Sequence, residues 1–188
     1  AKIFYDRANA RFNFTKSIYV QGNVILTGSL IITSITQSGG IAYSSGTQLK
    51  FTSKGSSGQL LISQATAAPQ WKTPAGGLVW YLDGTQYAGG TQGAQITMPF
   101  AMTLNGISMN AKGAPTGAAL IVDLKKDGTT VFSTKPQINA GSTTGGSNAI
   151  FSVTDIPINS LMTLDISQVG STFAGSGLTV IAKGVRKY

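Results

Sequence analysis

The residues before Pro74 form a succession of runs too short for helices and too apolar for a linker. Residues 17–21 are followed by Gly22-Asn23, residues 24–27 by Gly28-Ser29, and residues 30–35 by a break at 37–40. Residues 41–43 and 49–52 continue the pattern. Each run is rich in β-branched and aromatic residues and each break is a turn former. No window repeats apolar residues at the i, i+3, i+4, i+7 spacing of an amphipathic helix. Strands this short place few side chains on a face, and an isolated hairpin is marginal in water. Yet Ile18, Val20, Val24, Leu26, Leu30, Ile32 and Ile35 carry too much apolar surface for a disordered segment. The pattern predicts burial against identical neighbours, several chains wrapping one axis so that strand edges are covered. A small monomeric β-domain is the alternative.

Past Pro74-Ala75-Gly76-Gly77 the runs lengthen. Strands are expected near residues 78–82, 95–98, 102–111, 118–125, 129–133, 149–153, 161–169 and 178–186. Asp127-Gly128 is a hairpin signal, and residues 140–147 and 174–177 read as Gly-rich loops. Strands at this spacing predict a β-sandwich. The expected fold is all-β: an intertwined β-rich stem of several chains over residues 17–74, then a β-sandwich, jelly-roll-like head over residues 75–188. Residues 1–16 precede the stem as a separate segment.

Composition narrows the chemistry. The 188 residues include no Cys, no His and no Glu; the six acids are Asp6, Asp83, Asp123, Asp127, Asp155 and Asp165. Disulfides, thiolate or imidazole metal sites, Ser-His-Asp triads and Cys nucleophiles are thereby excluded. Catalysis would fall to Asp, Lys, Ser, Thr and Tyr, so no enzymatic activity and no cofactor is expected. Fourteen basic residues against six acidic ones give a net charge of +8. Such a balance favours anionic surfaces. The basic residues are scattered, however, without the stripe of a duplex binder, so no nucleic-acid partner is expected. No stretch reaches the ~18 apolar residues of a membrane span, and the opening Ala-Lys-Ile-Phe-Tyr-Asp lacks a signal's apolar core, so synthesis without secretion or membrane insertion is expected.

Four aspartates invite a catalytic reading. Asp127 and Asp155 sit in turn-like contexts, whereas Asp123 and Asp165 lie in strands within Ile-Val-Asp-Leu and Thr-Leu-Asp-Ile. All four are expected to face solvent or cap turns rather than act as paired glycosidase acids. Calcium needs only oxygens, but no Asp-x-Asp-x-Asp-Gly loop is present, so no metal site is assigned. The glycines at 113–117 and 141–146 precede no helix pattern and read as loop tips rather than phosphate cradles. Trp80, Tyr81 and Tyr87 fall close together as a potential sugar-stacking cluster, with Trp80 expected in the core.

Several phrases resemble text of one kind. Gly55-Ser56-Ser57-Gly58-Gln59-Leu60-Leu61-Ile62-Ser63, continuing through Ala67-Ala68-Pro69-Gln70-Trp71-Lys72-Thr73, resembles a phrase of bacteriophage fibre and tail stems. So do Val20-Gln21-Gly22-Asn23-Val24-Ile25-Leu26-Thr27-Gly28 and the run from Gly40 to Phe51. The stretches from Gly117 to Ser133 and from Leu161 to Ser171 resemble paired motifs of phage β-sandwiches. The resemblance implies a homotrimeric virion fibre, made in the host cytoplasm and exposed on the particle, with no place on the particle specified.

On that resemblance, Phe4, Tyr5, Arg7, Arg11, Phe12 and Phe14 are expected to dock onto other phage structural proteins, since aromatics and Arg anchor interfaces. The head is expected to present Lys125, Lys126, Asp127, Asn139, Ser142 and Ser147 to a host-surface polysaccharide or protein. A decoration protein binding only virion partners, a carbohydrate-binding module or adhesin, and a depolymerase are the competing readings.

Overall fold

The computed structural model describes residues 3–6, 11–14, 39–45 and 48–187. Among them there is no helix, and the fold is all-β. The chain divides into two compact units, residues 1–38 and 39–188. In the first, β1 (Ile3–Asp6) and β2 (Arg11–Phe14) form an antiparallel hairpin with Tyr5 opposite Phe12 and Asp6 opposite Arg11. Arg7 and the short runs expected between residues 17 and 35 lie outside the described residues.

The second unit opens with two hairpins, β3 (Ala42–Ser45) with β4 (Gln48–Phe51) and β5 (Leu60–Gln64) with β6 (Ala67–Lys72). The first is closed by Thr52, whose N–H donates to the Ile41 carbonyl while its hydroxyl accepts the Ile41 N–H, both at 3.0 Å. The second is tied to it by Trp71, whose indole donates to the Ser53 carbonyl at 2.8 Å. That ring lies flat against Gly55: a Cβ there would sit 2.6 Å from it. Gln59 accepts the Ser56 N–H at 2.7 Å, closing the turn that leads into β5. The Gly55…Gln59…Trp71 spacing is thus a local lock, with glycine required by the close approach of the ring.

Twelve further strands build the head: β7 (Ala75–Thr85), β8 (Gly89–Thr97), β9 (Met102–Gly113), β10 (Leu120–Lys126), β11 (Thr129–Thr130), β12 (Phe132–Thr134), β13 (Gln137–Ile138), β14 (Thr144–Gly145), β15 (Ile150–Phe151), β16 (Asp155–Ile156), β17 (Leu161–Gln168) and β18 (Ser176–Arg186). Ten of them join one sheet in the order β7-β18-β9-β14-β13-β10-β17-β8, with β11 beside β10 and β16 beside β9. The sheet folds round to near closure. Its two edges meet where the Trp80 indole of β7 donates to the Ala94 carbonyl of β8 at 2.8 Å.

Strand alternation sends one side of the sheet into a common core of Leu78, Trp80, Met109, Leu120, Val122, Leu124, Met162, Leu164, Leu178 and Val180, all buried. Leu104 and Ile107 both face inward although three residues apart, because the register with β18 shifts between Lys183 and Gly184 and bulges β9 there. The expected strand at 129–133 is broken: Val131 is fully buried, its N–H donating to Leu124, and β12 leaves to pair with β15. Residues 140–147 are not wholly a loop, since β14 fills the gap between β13 and β9. The expected strand at 95–98 starts earlier, at Gly89, where glycines hide the alternation.

Chain direction defines two ends of the head. β7 runs away from Pro74, β8 returns after a three-residue turn, and β9 runs outward again. The end nearest Pro74 also holds the last strand's exit, where the Arg186 N–H donates to the Pro74 carbonyl at 3.1 Å. The opposite end gathers four connections, at residues 84–88, 113–119, 139–143 and 169–175.

Candidate functional site

The four connections at the far end are cross-tied through their backbones. The Gln86 N–H donates to Gly175, Thr116 exchanges bonds with Phe173 and Thr172, and the Gly141 N–H donates to Pro115, all at 2.7 to 3.0 Å. Gln86 is buried beneath its own turn, its amide donating to the Leu82 and Gly84 carbonyls. Short polar and glycine-rich loops are thereby held as one apex. Its outward groups are hydroxyls, amides, exposed backbone and two aromatics, Tyr87 at 66% exposure and Phe173 at 41%. Phe173 packs along Gly113, leaving its ring part-exposed.

No charged residue lies within these four connections. Asp83 and Lys112, opposite in charge, border them and both engage Tyr81. The Tyr81 hydroxyl donates to Asp83 Oδ1 at 2.9 Å and the Lys112 ammonium stands 5.4 Å from the Tyr81 ring centroid. The Tyr81 hydrogen bond, with a second from the Gly84 backbone and the Lys112 charge, holds the Asp83 carboxyl below its ordinary value.

Charge collects elsewhere in the head. Lys187 pairs with Asp155 at 2.6 Å, Arg186 lies 4.2 Å over the Phe100 ring, and the Lys126-Asp127-Gly128 turn stands at the same, Pro74-facing end. Asp127 takes the left-handed conformation that its hairpin turn needs, and its side chain accepts the Leu161 N–H at 2.8 Å. The residues expected to contact a receptor therefore separate. Asn139 and Ser142 belong to the apex, Ser147 lies on the flank after β14, and Lys125, Lys126 and Asp127 sit toward the opposite end. A single surface does not touch both groups.

The strand aspartates need a correction. Asp123 and Asp165, expected to face solvent, are only 3% and 8% exposed. They stand opposite each other on the outer face of β10 and β17, covered by their own partners. Lys135 reaches Asp123 at 3.0 Å and also donates to the Ser167 hydroxyl, Thr130 donates to the other Asp123 oxygen, and Lys125 pairs with Asp165. The hydrogen bond and charge of Asp165 raise the Lys125 pKa above its ordinary value. Asp165 Oδ1 is buried with no hydrogen-bond partner among the described residues. Two lysines thus occupy the carboxylates, and no group of three metal-ligating side chains occurs among the described residues.

The aromatic cluster separates too. Trp80 is in the core, as expected, Tyr81 lies half-exposed on the outer face of β7, and Tyr87 reaches the apex. Phe173 escaped the sequence reading. Its signal was a lone aromatic inside Gly170-Ser171-Thr172-Phe173-Ala174-Gly175. Of the expected docking residues, Phe4, Tyr5, Arg11, Phe12 and Phe14 fall on the β1–β2 hairpin.

The remaining surface of note is on the hairpins before the head. Ile41, Leu49, Leu60, Leu61 and Ile62 are 37–58% exposed there. A cleft of about 340 Å³ lined by Lys54, Gln59, Gln70 and Trp71 lies beside them. No protein-family model matches the chain, and no curated protein compared with it gives a match.

Proposed function

We propose that the chain is a non-enzymatic structural fibre protein of a bacteriophage virion, working as a homotrimer that holds its head out toward the host surface. The observation that carries this reading is polarity. The chain enters the head at one end, beside Pro74, and the uncharged loop apex stands at the other. Such a head is built to be carried from behind and to touch in front. The exposed leucines and isoleucines of β3 to β6 support association of copies along the segment leading into it. Residues 1–16 dock onto other virion proteins. Three heads on one stem raise avidity, so weak single contacts hold a particle on a cell.

The test has two arms. Light scattering of the full chain gives a trimer mass, and the purified full chain competes with phage for adsorption to cells. A monomeric mass removes the fibre. A trimer that fails to compete leaves the second reading, a decoration protein whose partners are all on the virion. That alternative is favoured by the stacked hairpins, whose exposed apolar side chains serve a virion partner equally well.

A further inference from the structure

Resting on that reading, we infer that the head's apex binds an uncharged saccharide, by stacking on Tyr87 and Phe173, and that the protein's positive charge takes no part in the contact. The argument is one of chemical matching. A pyranose ring offers a weakly polarised C–H face and a rim of hydroxyls. The first lies against the negative face of an aromatic ring, and the second needs short neutral donors and acceptors. The apex supplies both kinds of group. Tyr87 and Phe173 are exposed, while Thr116, Asn139, Ser142, Ser171 and Thr172 stand among bare glycine backbone.

A charged ligand finds nothing to answer it. A sulfate, phosphate or uronate brought to the apex would lose water without gaining a counter-charge, a cost that neutral sugars escape. The two bordering charges are opposite in sign and both engage Tyr81. Lys125, Lys135, Lys187 and Arg186 line the flank and the Pro74 end of the head, away from the contact. The cross-ties between Gln86 and Gly175 and between Thr116 and Phe173 fix the two aromatic loops before a ligand arrives, which limits the ordering cost of binding.

The experiment uses the full chain on a printed array that carries neutral hexose, deoxyhexose and N-acetylhexosamine oligosaccharides beside uronate-, sialate- and phosphate-bearing ones, at low and high salt. The expected result is binding confined to neutral glycans and unchanged by salt. Tyr87→Ala or Phe173→Ala lowers it by about tenfold or more, while Lys126→Ala with Lys183→Ala leaves it unchanged. Both aromatics are exposed, so thermal melts of their variants stay near the parent. Binding to charged glycans that weakens with salt overturns the inference, as does binding to no glycan on the array, or neutral-glycan binding that survives both aromatic substitutions. Failure of the fibre reading looks different: a monomer that binds neutral glycans keeps the apex and loses the fibre.

Discussion

Asp123 and Asp165 are direct register partners on neighbouring strands, yet each carboxylate is held by a different lysine. Like charges placed opposite each other on a sheet repel, and only their partners make the arrangement tolerable. Lys125 spans diagonally to Asp165, and Lys135 arrives from the strand connection beyond β12. The ladder is a balanced set in which removal of one cation exposes a carboxylate pair.

Lys125→Met should therefore destabilise the head by about 1–3 kcal/mol, since it leaves a mostly buried carboxylate uncompensated. Adding Asp165→Asn should recover much of the loss. Urea unfolding of the two variants measures both, and equal stability of Lys125→Met and parent would refute the ladder.

The same pair sets a pH dependence. Asp165 raises the Lys125 pKa above its ordinary 10.5. A raised cationic pKa contributes stability that is fully present below the unfolded value and lost as pH climbs through the folded one. The parent's margin over Lys125→Met should hold through neutral pH and shrink only above about pH 10.5. Melting temperatures across that alkaline range give the comparison.

Backbone strain makes two opposite predictions. Ala65 in the β5–β6 turn and Asp127 in the β10–β11 turn both have positive φ, 53° and 51°. Ala65→Gly should stabilise its hairpin by about 0.5–1 kcal/mol, because glycine adopts this conformation freely. Asp127→Gly should gain nothing and lose about 1 kcal/mol, because the Asp127 carboxylate also accepts the Leu161 N–H. Paired thermal melts should give shifts of opposite sign.

Gly55→Ala should break the lock before the head. The added methyl meets the Trp71 ring, which must turn away and release the Ser53 carbonyl. Trp80 stays buried at 2% exposure, so a red shift in tryptophan emission reports Trp71. An unshifted spectrum would mean the ring was never held.

Leu49→Ser combined with Leu60→Ser should dissociate copies of the chain while leaving the head's melting transition in place. Both side chains are more than half exposed and belong to no core. A retained oligomer mass by light scattering would move the interface elsewhere.

Much of the fold was legible because period-2 alternation survives in the long strands: β9, β10, β17 and β18 start within two residues of where their apolar pattern begins. β8 was half hidden, because Gly89, Gly90 and Gly93 carry no side chain to alternate. β13, β14 and β16 are two residues each, and only the neighbours that hydrogen-bond to them make them strands. The site was less legible for a related reason. Tyr87 stands out in the sequence, but loop residues from four distant places become one surface only through ties such as Gln86 to Gly175. Asp123 looked solvent-facing because alternation puts it outside the core; nothing local says that Lys135 will return to cover it.

The pairing of β7 with β18 has a mechanical consequence. The two strands are hydrogen-bonded from Ser176 opposite Thr85 to Val185 opposite Ala75, so any tension applied through the residues before Pro74 would enter the head along β7. When the far end is held, that tension pulls β7 lengthwise against its neighbour. The ladder is then loaded in shear, every rung sharing the force at once, instead of being unzipped rung by rung. On the proposed fibre reading, a head tethered in this way would yield late and all together, as a coupling under the drag on a particle in flow requires.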